Sequence, residues 1–389
     1  MSHILMAGVG AHGHTNPHLG VVAELAERGH RVSWVIPGSF AATVAAAGAV
    51  PLVVDSLVPD ESRGESWPED PVAGMSIFLD EAEHVYPQVE KALAGDPPDL
   101  VLYDIGGYPG RALAARWCLP LVQLSPSMVA WEGFEEDMAE ALAFRNTPEH
   151  AAYQRRFRAW LDGLGIALTP DEFAGRPPRC VVEIPRAMQP NADRVDERVY
   201  TFVGPALDRR HEEWPADPSG TEQMVLVSLG SNYTRQPDLY RACVEAFAPL
   251  GWRVVIAAGA HVSAAEIGPL PSNVEVHRWV PQFAALGHAR AFVTHAGSGG
   301  CSEGLYQGVP MIAVPQAVDQ FGNAALLEAL GVGRHVPREE ATAERLRQAL
   351  LELTESPEVA TRCAALRAEV RAEGGARAAA DVVESLLPA

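Results

Sequence analysis

The 389-residue sequence predicts an α/β protein made of two doubly wound domains. Three observations predict it. Short apolar runs alternate with helix-period segments from residue 3 to residue 125, the rhythm of a parallel sheet covered by helices on both faces. A stretch rich in Pro and charge, 205–222, then lacks any apolar period and reads as a linker. Beyond it the same rhythm restarts.

In the first half, HILMAGV (3–9) reads as a buried strand. PHLGVVAELAERG (17–29) has a helical period, with Pro17 suited to a first turn and Gly29 to the stop. RVSWVIP (31–37), a helix near 39–48, PLVVD (51–55), DLVLYD (99–104) and LPLVQLS (119–125) follow. Two stretches break the rhythm, 56–75 and 125–150, and long insertions of this kind are more often functional than idle. In the second half come MVLVSLG (224–230), a helix at 237–249, RVVIAAG (253–259), NVEVH (273–277), ARAFVTH (289–295), a helix at 299–307, VPMIAVP (309–315), a helix at 320–330 and GRHV (333–336). Two or three helices close the chain. Two such domains imply a cleft between the carboxyl ends of both sheets, where ligands bind in these folds.

Composition narrows the function. Hydrophobic residues make up 48% and charged ones 21%, enough for sizeable cores and unlike a disordered chain. The formal charge of −20 argues against nucleic acid and against an anionic membrane surface as partners. Lys91 is the single lysine, in a surface-like helix, so a P-loop or a Schiff base is not expected. Cys118, Cys180, Cys243, Cys301 and Cys363 are widely spaced and odd in number, against a full disulfide framework and in keeping with a cytoplasmic location. The N-terminus has no basic region ahead of its short apolar run, so a signal peptide is not expected. No run approaches the ~18 apolar residues of a membrane span.

Gly8-Val9-Gly10-Ala11-His12-Gly13 has the G-x-G-x-x-G form of a dinucleotide turn. The strand that should supply a ribose-binding carboxylate, 31–37, has none, which disfavours an NAD-dependent oxidoreductase. His12 and His14 could be a metal pair, but the other histidines form no convincing ligand set, and no Asp-x-Asp occurs to carry a divalent ion. A histidine in this βα turn is better read as a general base, or as a solvated or capping residue. Asp104 ends its strand. It could hold the far ring nitrogen of a catalytic His, or cap the helix at 109–117.

The strongest signal is Phe292 to Glu303, a strand, a small-residue turn (His295-Ala296-Gly297-Ser298-Gly299-Gly300) and a helix. Small residues let backbone N–H groups reach an anion, and the helix dipole assists. His295 can donate a further hydrogen bond, and Glu303 could hold ribose hydroxyls. Upstream, Trp279-Val280-Pro281-Gln282 offers a flat face for a base. Downstream, Asp319-Gln320 offers acceptors and donors for sugar hydroxyls. Base platform, phosphate turn and hydroxyl-binding pair, in this order, suit a nucleotide sugar.

The order resembles the donor signature of the UDP-dependent glycosyltransferases of the plant and antibiotic type. That signature runs Trp-x-x-Gln, His-x-Gly with a Glu eight residues after the His, Gly-Val-Pro and Asp-Gln. Here the pieces are Trp279/Gln282, His295/Gly297/Glu303, Gly308-Val309-Pro310 and Asp319/Gln320. The chain as a whole is similar to the bacterial macrolide glycosyltransferases of the oleandomycin type, through segments such as AHGHTNP (11–17), VLVSLGS (225–231) and FVTHAGSGG (292–300).

The resemblance implies the GT-B fold, two facing Rossmann-like domains with an interdomain cleft. Residues 1–205 would bind the acceptor, 206–222 would be the linker and 223–372 would bind the nucleotide sugar. A C-terminal helix in 373–389 would return to the first domain. It implies metal-independent transfer with inversion and no cofactor beyond the UDP-sugar donor. His14 would be the base and Asp104 its partner. Donor-binding positions would be Ser228, Ser231, Trp279, Val280, Gln282, His295, Gly297, Ser298, Gly299, Gly300, Glu303, Asp319 and Gln320. Trp67, Phe78, Ile105, Met128, Trp131 and Phe134, in or beside the irregular segments of the first domain, are apolar surface suited to a lipophilic aglycone. The donor leans to UDP-glucose and the acceptor to a macrolide or similar polyketide, with inactivation of an antibiotic as the role. The alternatives are other lipophilic or phenolic acceptors with a UDP- or TDP-sugar, a sugar-nucleotide-binding protein without chemistry, and a sugar-nucleotide epimerase.

Overall fold

The computed structural model describes residues 1–388 apart from 61–64, 66, 69, 208–212, 216–222, 231–233, 261 and 318. Much of the expected linker, and Ser231, therefore lie outside the described residues. The chain forms two compact units, one of Met1–Ile184, Gln189–Arg209 and Gly374–Ala389, the other of Pro185–Met188 and Arg210–Glu373.

The first unit is built on β1 (His3–Ala7), β2 (Arg31–Pro37), β3 (Val50–Val54), β4 (Leu100–Asp104), β5 (Leu121–Ser125), β6 (Cys180–Val182) and β7 (Tyr200–Phe202). All pairings are parallel, in the order β3-β2-β1-β4-β5-β6-β7. The central strands β1 and β4 are buried along their whole length, which is why they read as unbroken apolar runs. β6 and β7 are three residues each, too short for a period to announce them.

The helix expected at 17–29 is divided. A turn of helix spans His12–Thr15 and the longer helix begins at Leu19. Pro17 has no N–H to continue the first turn, so the chain restarts after it. Gly29 ends the second helix at φ +90°, as its position suggested. The irregular stretch 56–75 gives way earlier than expected to a long helix, Pro71–Leu93, whose N-cap Asp70 accepts from the Ala73 N–H.

The helix Gly375–Glu384 belongs to the first unit. Gly374 and Gly375 have φ of +100° and +55°, so the preceding helix stops and the chain turns. Ala376, Ala379, Ala380 and Val383 then share a core with Val21, Val22 and Leu25. Arg28 bridges to Asp381 and Glu384 at the rim.

The second unit has β8 (Met224–Ser228), β9 (Arg253–Ala257), β10 (Val274–His277), β11 (Ala291–Thr294), β12 (Met311–Ala313) and β13 (Gly333–His335), all parallel in the order β10-β9-β8-β11-β12-β13. Both units are thus Rossmann-like, and in both the winding reverses beside the first strand. Among the described residues no helix is long and apolar enough to cross a membrane.

Candidate active site

In the first unit, β1 and β4 lie side by side where the winding reverses, the place where such sheets open a ligand crevice. The chain leaving β1 carries His14. The chain ends β4 on Asp104, which is fully buried. Two backbone bonds to Ala11 O, from His14 N and Thr15 N, fix the turn, and the Thr15 hydroxyl donates to Val9 O. The glycines of the expected dinucleotide turn serve packing instead: a Cβ on Gly8 would meet Trp34 at 2.5 Å and one on Gly10 would meet Pro37 at 2.4 Å.

His14 Nδ1 lies 2.9 and 3.0 Å from the two Asp104 oxygens. Nδ1–H therefore donates and Nε2 keeps its lone pair, while the ring stays partly open to solvent. Asp104 is not the helix cap: Gly107 holds that place with no side-chain bond, and Asp104 Oδ1 accepts from the Gly106 N–H at 2.8 Å. His12 turns elsewhere, edge-on to Phe40 with ring centroids 5.0 Å apart. Among the described residues no group of three or more His, Cys, Asp or Glu could hold a metal ion.

Sequence reasoning missed two members of this cluster. His18 Nε2 donates to Asp104 Oδ2 at 2.9 Å, and His18 Nδ1 donates to Glu183 Oε2 at 2.5 Å. All three side chains are sealed from solvent. Burial opposes charge on the Asp104 carboxyl, yet His14 and His18 hold it well below the usual carboxylate range. Burial also opposes charge on His18, but Glu183 and Asp104 outweigh it and push the imidazole up to about 10. His18 stands four residues after His14, a spacing the sequence displayed. Glu183 follows β6 and carried no local signal.

Phe78 and Trp67 lie near this cluster. Phe78 approaches the His14 ring (centroids 6.3 Å) and Trp67 (5.6 Å), within an apolar group containing Val9, Ala11, Val58 and Ile77. The Phe78 ring presses on Gly106, where a Cβ would meet it at 2.6 Å. Trp131 and Phe134 form a separate edge-to-face pair at 4.9 Å, and Trp131 Nε1 donates to Asp137. Met128 is exposed in the same segment. Ile105 is half-buried in the turn after Asp104.

In the second unit every described donor candidate sits on a segment leaving the carboxyl end of a strand or on the helix that follows. Ser228 closes β8 and is buried. After β11, Ala296 takes φ +63°, a left-handed conformation costly for a residue with a Cβ. Two bonds hold it: Ala296 N donates to Thr294 Oγ1 at 3.1 Å, and Asn323 Nδ2 donates to Ala296 O at 3.0 Å. The Ser298–Gln307 helix then starts at Gly297 with no side-chain cap, so Gly297, Ser298, Gly299 and Gly300 present main-chain donors. A Cβ on Gly230 or Gly297 would meet the His295 ring at 2.7 and 2.4 Å, so the imidazole fits between two glycines. Its Nδ1 is buried with no hydrogen-bond partner among the described residues. Burial pulls His295 down to about 4, so it is neutral at pH 7.

Gln282 Nε2 donates to Glu303 Oε2 at 2.7 Å, which ties two of the donor candidates together. Trp279 is 68% exposed and offers its face, whereas Val280 is 4% exposed and its side chain belongs to the core. Asp319 Oδ2 accepts from Ser298 Oγ at 3.1 Å and from Asn323 Nδ2 at 3.0 Å. Gln320 is buried, and its Oε1 accepts from the Gln316 and Ala317 N–H groups at 2.7 and 3.1 Å. Asn323, one helical turn after Asp319, went unassigned from sequence although it holds both Asp319 and the Ala296 turn.

The chain matches the family model described as "UDP-glucoronosyl and UDP-glucosyl transferase" over residues 177–366. It is 52% identical to the oleandomycin glycosyltransferase of Streptomyces antibioticus, covering all of this chain and 91% of that protein. It is 33% identical to the NDP-glycosyltransferase YjiC of Bacillus licheniformis over 99% of this chain and 98% of that one. Among solved structures it is similar to a kitacinnamycin glycosyltransferase (44% identity, TM-score 0.91, covering 100% and 99% of the two chains). It is also similar to the calicheamicin glycosyltransferase CalG4 (32%, TM-score 0.86, 99% and 98%).

Proposed function

Because the chain belongs to the GT-B glycosyltransferases related to the macrolide and antibiotic enzymes, we propose that it transfers glucose from UDP-glucose, with inversion, to a hydroxyl of a macrolide or similar polyketide. The observation that carries the chemistry is the hydrogen bonding of His14 Nδ1 to both Asp104 oxygens. It fixes the tautomer in which Nε2 takes a proton.

In this reading His14 Nε2 removes the acceptor O–H proton as that oxygen bonds to the anomeric carbon. The bond from that carbon to the diphosphate breaks, and its electron pair leaves on UDP. Asp104 stabilises the imidazolium that forms. The main-chain donors of 297–300 and the neutral His295 ring receive the growing negative charge on the leaving group. Neutral donors suit a chain of net charge −20. Glu303, tied to Gln282, would accept from ribose hydroxyls, Trp279 would stack on the base, and Asp319 would accept from a sugar hydroxyl. Trp67 and Phe78, beside His14, would form the apolar seat of the aglycone. Its role would be inactivation of an antibiotic.

A mass-spectrometric screen of UDP- and TDP-sugars against macrolides, flavonoids and simple phenols tests this reading. Hexosylated macrolide with UDP-glucose is the expected product. Product only with phenols would redirect the acceptor, and product only with TDP-sugars the donor. Free sugar or epimer without any acceptor would replace transfer by another reaction.

A further inference from the structure

The Glu183–His18 pair lies outside the base and its carboxylate, yet it is built into them. Three separate chain segments bring the pair to Asp104: the N-cap position of the helix Leu19–Glu27 carries His18, the residue after β6 is Glu183, and β4 ends on Asp104. His18 spends both ring nitrogens, one on Glu183 and one on Asp104. Glu183 Oε1 is buried with no hydrogen-bond partner among the described residues, so the Glu183 charge is answered through His18. Burying two carboxylates and an imidazolium is a poor route to stability. A role in the chemistry accounts for it better.

We propose that His18 and Glu183 are positioning residues for the transfer: the pair locks the Asp104 carboxylate towards His14 and partly cancels the negative charge that the His14 ring faces. The inference rests on the reading of His14 as the base. An Asp104 answered by His14 alone would draw a proton onto that ring too strongly. His18 binds Oδ2, one of the two oxygens that His14 approaches, and leaves Oδ1 to His14 and the Gly106 N–H, so its positive charge moderates the pull while His14 keeps its partner. Glu183 keeps His18 charged in a site where burial alone would neutralise it.

The other titratable groups near the His18–Glu183 pair are Tyr108, Cys180 and Arg111. Burial pushes Tyr108, which feels the Asp104 charge, up to about 12, and raises the Cys180 thiol beside Glu183 well above its ordinary value. Arg111 is bound to the Tyr103 hydroxyl and to the Glu172 and Arg176 carbonyls.

Nitrogen-15 NMR of the histidine-labelled full chain, without substrate, tests the relay. His18 is expected to keep both ring nitrogens protonated through about pH 9. In His18→Gln the His14 midpoint should rise by about half a pH unit or more. In Glu183→Gln, which keeps the side-chain shape if His18→Gln does not fold, the His18 midpoint should fall by about one unit or more. A neutral His18 at pH 7, a His14 midpoint unmoved in His18→Gln, or a His18 midpoint unmoved in Glu183→Gln would each overturn the proposal. With UDP-glucose and oleandomycin as trial substrates, His18→Gln should lower kcat about tenfold or more at pH 7, with UDP affinity unchanged and the acid limb displaced upward. A wild-type pH profile would count against it. If His14→Ala keeps full turnover, the base reading fails whatever the NMR shows. If His14→Ala is inactive and the His14 midpoint ignores His18, the relay alone fails.

Discussion

The carboxyl edges of the two sheets solve opposite electrostatic problems. On the first, Glu183, His18, Asp104 and His14 form a line of charged and polar groups bonded to one another, three of them sealed from solvent and His14 at the open end. On the second, the groups are neutral and left with capacity: an uncapped helix start, a His295 ring whose Nδ1 has no partner among the described residues, and an exposed Trp279. One edge is organised before any ligand arrives, as a group that must carry a proton requires. The other has donors that an anionic ligand would complete. Similar topology therefore says little about chemistry. What differs is whether the residues after the strands answer one another or wait for a partner.

The sharpest way to separate the two edges is to remove the base. His14→Ala is expected to lower kcat by about 100-fold or more while UDP affinity, read by calorimetry, stays at the wild-type value. Equal losses in both would mean that His14 serves donor binding as well.

The next separation uses pH, because His18 on one edge and His295 on the other are shifted in opposite directions. His18 is raised from 6.5 to about 10. Its contribution to stability is complete below about pH 6.5 and fades as the pH climbs through 10. His295 is lowered from 6.5 to about 4, so it binds its proton less readily folded than unfolded. Its stability cost is absent above about pH 6.5 and grows as the pH falls towards 4. Each effect is on the order of a few kcal/mol. Denaturant titrations across pH should show His18→Gln flattening the alkaline loss and a neutral substitution of His295 flattening the acidic one. If neither substitution changes its limb, the charge states assigned to the two edges are wrong.

Packing gives a smaller effect confined to the second edge. In Gly297→Ala the new Cβ would meet the His295 ring, and overpacking of this kind costs about 1–3 kcal/mol. UDP affinity should fall by about tenfold, with the midpoint of His14 unchanged. Asn323→Ala is milder. It removes one bond to the strained Ala296 turn and one to Asp319, about 1 kcal/mol, and should raise the donor KM several-fold with the acceptor KM unchanged.

Much of this was legible in the chain itself. The apolar runs of β1, β4, β8 and β11 are long and fully buried, so their hydropathy announced two parallel sheets and the loops that follow them. The spacing from Trp279 to Gln320 lies within one stretch of chain, so the candidate donor edge was legible in the sequence. The first edge was only half visible. His14 and Asp104 are 90 residues apart: a carboxylate at the strand end could be read as the partner of a histidine in the turn, or as a helix cap, and the resemblance singled out His14. Phe78 was legible as an apolar residue, but its approach to His14 depends on the helix Pro71–Leu93, and Trp67 joins it through Phe78.

By itself, then, the order of residues determined the strands, the turns after them and the small residues that open a turn to an anion, because those properties are set by neighbours a few positions away. Tertiary structure alone decided that His18 is enclosed as a cation, since its partner Glu183 arrives from 165 positions away, on the turn after a three-residue strand. Charge on a buried group depends on what folding brings within hydrogen-bond reach, and no local pattern records that.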